Sequence, residues 1–177
     1  MGEVSPLSRL YEKYRPGGFE FFIAYVREAH PGENYPHHTS FEQKLAHARR
    51  LRELEQVGIP ILVDDLQGTM HRAYGLRPNM IYLIHRDGVV VYKSDWTDAM
   101  ELDGMCESLN RLDEMKAQKV PIVRKGVSER IHWIPMDPAL RERVYRRSGE
   151  KAIKDFFNAM GYLPYATDAE RTRTGLS

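Results

Sequence analysis

The sequence predicts an α/β sandwich followed by a helical appendage, and three observations carry that reading. Short runs of aromatic and β-branched residues, bounded by Gly, Pro or Asp, alternate with stretches whose apolar residues recur at i, i+3, i+4 and i+7. An Asp87-Gly88 turn joins two apolar runs as a hairpin. Beyond Lys119 the composition shifts to Pro-interrupted segments and two short helices. Helix, strand, helix, strand, short helix, hairpin, helix is the order of a layered α/β unit rather than a bundle. Residues 1–118 are read as that unit and residues 119–177 as an appendage packed on it.

Taken in order, Ser5-Pro6 reads as an N-cap with proline at the first helical position, and Leu7, Leu10, Tyr11 and Tyr14 form one stripe. Gly17-Gly18 then precede the run Phe19 to Val26, which reads as a buried strand. Its end opens into a polar loop, residues 27–40, and Thr39 or Ser40 caps the next helix, Phe41 to Val57, which Gly58 stops. Ile59 to Val63 is a second strand and Thr69 to Tyr74 a brief helix closed by Gly75. Met80 to Ile84 and Val89 to Tyr92 make the hairpin. Thr97 to Gln118 is a long helix with Leu102, Met105, Cys106, Leu109 and Leu112 on one stripe. In the appendage, Asp137-Pro138 starts one helix and Gly161 stops the other, with Trp133 and Phe156-Phe157 expected as its anchors.

Composition narrows the function classes. A net charge of +1, with 42% hydrophobic and 29% charged residues, gives no electrostatic reason for a nucleic-acid or anionic-membrane partner. The apolar runs are far too short to span a bilayer and the N-terminus lacks a signal-peptide pattern, so a cytoplasmic protein is expected. Cys106 is the single cysteine, which excludes an internal disulfide, a Cys-x-x-Cys motif and a thiolate-rich zinc site.

A strand ending in a loop dense in ionisable groups is how open α/β sheets build sites. Glu28 and His30, at that strand end, suit an acid–base pair. His30, His37 and His38, with Glu33, offer a metal alternative, although the adjacent pair His37-His38 does not readily turn both rings to one ion. Cys106 lies on an apolar stripe and reads as structural. Asp64-Asp65 read as turn or cap residues, His47 and His71 as solvated helix residues, and the run Arg141 to Arg147 as a solvated face.

The segment Tyr25-Val26-Arg27-Glu28-Ala29-His30-Pro31, followed by Gly32-Glu33-Asn34-Tyr35, is similar to the Glu-Ala-His-Pro segment of the iodothyronine deiodinases and their bacterial redoxin relatives. Val63-Asp64, Ala73-Tyr74-Gly75 and Ile81 to Ile84 continue the match, so residues 5–115 resemble the redoxin branch of the thioredoxin-like superfamily. The resemblance implies a thioredoxin-like α/β/α sandwich in which Glu28 and His30 handle protons beside a catalytic cysteine or selenocysteine. It also implies that Tyr35 and Pro78 border the substrate, with Pro78 standing where many redoxins keep a cis-proline. Met80 departs from the family, which has arginine there. The family's first strand, with its reactive residue, has no counterpart in Met1-Gly2-Glu3-Val4. That strand would sit between Phe19–Val26 and Met80–Ile84. Its absence leaves unpaired backbone or forces the neighbours together.

The expectation is thus a deiodinase-like thiol oxidoreductase domain without its nucleophile, inactive as given, requiring no cofactor and related to small-molecule or thiol substrates. The alternatives are a binding module that forms a homodimer through an exposed sheet edge, and a metal-dependent enzyme built on the histidine loop.

Overall fold

The computed structural model describes residues 4–122 and 138–160. Among them, α1 (Val4–Tyr14) runs into a 3-10 turn at Arg15–Gly17, followed by β1 (Ile23–Tyr25), α2 (Phe41–Leu54), β2 (Ile61–Val63) and α3 (Thr69–Ala73). The hairpin β3 (Ile81–Ile84) and β4 (Val90–Ser94) follows, then α4 (Ala99–Ala117), α5 (Pro138–Ser148) and α6 (Glu150–Met160). The α/β class holds.

The strands form two separate pairs rather than one sheet. β1 pairs with β2 in parallel, Ala24 opposite Leu62, and β3 pairs with β4 antiparallel, Leu83 opposite Tyr92, with a bulge after Leu83. The Ile23 amide donates to Pro60 and the Tyr25 carbonyl accepts from Asp64, so both residues turn their backbone toward β2. Alternation then turns the N–H and C=O of Ala24 to the opposite edge, where no strand lies among the described residues. β1 and β3 do not pair with each other among the described residues. A cavity of about 340 Å³ separates β1 from β3.

A helix, not a ladder, holds the two pairs together. One face of α1 packs Val4 and Tyr11 against Val57 and Ile59, and another packs Leu10 and Tyr14 against Leu102 and Cys106 of α4. Leu7 and Phe21 touch both clusters. The junction is pinned at its rim by Lys13 on Asp103 (2.7 Å) and Glu107 (3.0 Å), and by the Tyr14 hydroxyl donating to the Asp103 carbonyl (3.1 Å).

Four expectations need correction. The Phe19–Val26 strand is reduced to Ile23–Tyr25 and is not buried: Phe22 is 57% exposed, because only the face turned to α1 and Ile59 is covered. Ser5 is a helical residue of α1 rather than its N-cap, and Pro6, in the first described turn, is tolerated because the amide it lacks would have no partner there. His71 is buried, its Nε2 3.0 Å from the Arg77 carbonyl. The α2 helix ends at Leu54, short of the expected Val57 and Gly58 stop, while several other local readings stand. Ser40 caps α2 by accepting from the Gln43 amide (3.1 Å), and Asp64 and Asp65 cap α3 by accepting from Met70, His71 and Thr69 amides. Trp133 and the side chains of Phe156 and Phe157 lie outside the described residues.

Candidate functional site

The polar loop after β1 has two neighbours, and they divide its residues. One group faces inward onto α2. Glu28 leaves the end of β1, and its Oε1 accepts from the Tyr25 hydroxyl. His38, just ahead of the Ser40 cap, places Nε2 3.7 Å from the same oxygen and 3.2 Å from Nδ1 of His47, which lies on the second turn of α2. The His38 side chain is only 5% exposed. Its ring stacks at a tilt on Tyr25 (5.7 Å), and the His47 ring meets Tyr35 edge-on (5.3 Å).

Burial sets the protonation of this group. Desolvation, followed by repulsion from His47, Lys44 and His37, pulls His38 down to about 4, so its imidazole is neutral near neutrality. Burial and then the Glu28 carboxylate push the Tyr25 hydroxyl well above its ordinary value, so it remains a donor. Lys44, likewise depressed by burial, gives Nζ to the Asp65 carbonyl at 2.9 Å.

The second group faces the appendage. His30 Nδ1 lies 3.0 Å from Asp155 Oδ2 on α6. The Glu33 carboxylate accepts from the Lys151 amide (3.0 and 3.1 Å), capping α6. Asn34 donates to the Arg147 carbonyl at 2.9 Å, and Arg147 pairs with Glu55. At the point of contact the backbones touch: a Cβ on Gly32 would overlap the Ser148 carbonyl oxygen, and one on Gly149 would overlap the Glu33 carboxylate. The motif that pointed to chemistry is therefore also the appendage's docking surface.

Among the expected site residues, Glu28 borders both the 340 Å³ cavity and a smaller one of about 120 Å³. Pro78 lines the larger, beside Asn79 and Met80, and its peptide bond is trans. Tyr35 is buried against His47 in the smaller, under the Arg50 guanidinium. Among the described residues the metal-ligand side chains that converge are Glu28, His38 and His47, with donor atoms within 4.8 Å of one another. Only His38 belongs to the histidine set expected from the loop. His47 is not a merely solvated helix residue, and the signal that reaches it is positional. It lies one residue before buried Ala48 and three after buried Lys44, on the inner side of α2.

Cys106 is fully buried beneath the larger cavity, and burial pushes its thiol up to about 11. It is a core residue, as its stripe indicated. No helix among the described residues is long and apolar enough to cross a membrane.

No family model matches the chain, and no solved structure does. Among curated proteins it is similar to thyroxine 5-deiodinase from Rattus norvegicus and from Homo sapiens, 27% identical over 124 residues. The Ovis aries enzyme of the same name is 28% identical over 127 residues. The match takes in 64% of this chain and about 40% of each relative, so the chain spans well under half the length of the proteins it resembles. A distant deiodinase-like relationship follows.

Proposed function

We propose that this chain is a domain of a deiodinase-like thiol oxidoreductase of the redoxin type and thioredoxin-like fold, with Glu28 as its proton-handling group. The observation that supports this most is Glu28, which with Tyr25 lines an apolar slot between two open sheet edges and whose carboxylate also faces His38 in a network that continues to His47. Thiol reduction of a disulfide, peroxide or halogenated aromatic requires a thiolate to attack, and the group it displaces requires a proton. A carboxylate that already accepts from Tyr25 and lies against two imidazoles is suited to hold that proton and pass it on. His30 stands beside it in sequence and is oriented by Asp155. Pro78 and Tyr35 border the two cavities into which a substrate would extend.

The thiolate is not Cys106, whose thiol is buried and remains protonated. The 177 residues by themselves are accordingly proposed to have no thiol turnover.

The test has two halves. A halogenated phenol is expected to perturb the methyl resonances of Ile23, Met80 and Ile81, and Glu28→Gln is expected to weaken that binding about tenfold, the scale of one lost charge-assisted contact. Reduction of disulfide, peroxide or halogenated phenol with excess dithiothreitol is expected to run at the uncatalysed rate. Catalysis that survives Cys106→Ala, or a slot that no such ligand perturbs, would overturn the reading.

The open edges of β1 and β3 favour a second reading, a scaffold that binds a strand from a second copy. Light scattering after size exclusion separates the two, because a strict monomer at high concentration excludes the homodimer.

A further inference from the structure

We propose that Glu28, His38 and His47 form a binding site for a divalent first-row metal ion of the zinc class. The inference rests on convergence. A tetrahedral ion with ligands at about 2.0–2.1 Å sets neighbouring donor atoms about 3.3 Å apart. His38 Nε2 lies 3.2 Å from His47 Nδ1 and 3.7 Å from Glu28 Oε1, close to that edge length on two sides, and all three donors fall within 4.8 Å of one another. Two imidazoles and one carboxylate are a zinc donor set, and they leave a fourth position open.

The surroundings fit as well. Glu28 and His38 are largely withdrawn from water, and the donors come from three places in the chain: the end of β1, the residue two before the α2 cap, and α2 itself. The Tyr25 hydroxyl on the Glu28 carboxylate, and the Tyr25 and Tyr35 rings against His38 and His47, fix the donors from behind. Lys44, the α2 cation whose charge acts on His38, is tied to the Asp65 carbonyl and offset by Asp64 and Asp65.

This site goes beyond the thiol reading and does not depend on it, since three donors bind an ion whether or not a thiolate reacts nearby. Ion binding and proton handling exclude one another in time, because both need the same lone pairs.

The experiment uses the full chain, produced without a histidine tag, stripped with chelator and titrated with cobalt and then zinc. One equivalent of cobalt is expected to give the intense visible spectrum of a four- or five-coordinate ion, and zinc is expected to displace it. His38→Ala and His47→Ala are each expected to weaken zinc binding by more than tenfold, and Tyr25→Phe by about tenfold, as for a lost outer partner. His37→Ala is expected to leave it unchanged. Circular dichroism checks each variant, and the cobalt spectrum of the unaltered chain needs no variant at all. A weak octahedral spectrum, the absence of saturation at one equivalent, or binding that depends on His37 rather than His38 and His47 overturns the proposal.

Discussion

At the residue scale, His38 couples the candidate site to the stability of the fold. An imidazole titrates near 6.5 when unfolded, and burial holds His38 at about 4 in the folded chain. Between those values the unfolded chain takes up a proton that folded His38 refuses, so stability is full above 6.5 and falls as pH drops toward 4. The expected loss is on the order of 2 kcal/mol. Urea titrations at pH 7 and 4.5 check it, and His38→Gln should remove part of the difference. Tyr25→Phe removes the donor that faces Glu28 and should cost about 1–2 kcal/mol at pH 7, read from the same titration. Cys106 has the opposite character. Because its thiol is sealed and pushed up to about 11, a disulfide reagent at pH 8 should label it only as fast as the chain unfolds. Rapid native labelling would contradict the packing of α1 on α4.

At the scale of elements, the contact between the polar loop and the α5–α6 corner depends on two glycines. Gly149 has φ +106°, a conformation that side chains rarely adopt, and its missing Cβ makes room for Glu33. Gly149→Ala should destabilise the corner by about 1–3 kcal/mol through strain and overlap together. Glu33→Ala, which uncaps α6, should cost about 1 kcal/mol. Hydrogen exchange locates both effects. The α6 amides should lose protection in each variant while β3 and β4 keep theirs, and uniform loss would mean that the corner is not a local unit. The hairpin behaves as its turn chemistry requires. Gly88 takes the positive φ of +83° that an Asp-Gly turn requires, and the His85 amide donates to Val89 at 2.8 Å.

At the scale of the whole molecule, much of the architecture was legible and much of the site was not. Caps and the hairpin follow from neighbours a few residues apart, so Gly88 could be read directly, the α2 cap narrowed to Thr39 or Ser40, and Asp64-Asp65 placed at a turn or cap, while helix ends moved by a few residues. The role of Cys106 was legible because a helical stripe declares which side is buried. The convergence of His47 on the Glu28–His38 pair was not, because His47 lies nineteen residues after Glu28 and is distinguished from a solvated histidine only by how α2 is rolled on the strands. His71 was missed for the same reason. The short β1 was overread because aromatic and β-branched composition measures suitability for a sheet, not the number of neighbours a strand obtains. Phe22 has the composition of a core residue and a position at an open edge.

The docking of the loop on the appendage also dictates an order of events during synthesis. Glu33 and the Lys151 amide it caps are 118 residues apart, and His30 and Asp155 are 125 apart. At a translation rate of about 5–20 residues per second, the loop leaves the ribosome roughly 6–24 s before its partners do. Throughout that interval the Gly32 amide has its Tyr35 partner within the loop, but the Glu33 carboxylate lacks the Lys151 amide it later caps. The Glu33 side of the loop is therefore a late-maturing part of the molecule, and a nascent chain arrested near residue 120 would carry it without its contacts to α5 and α6.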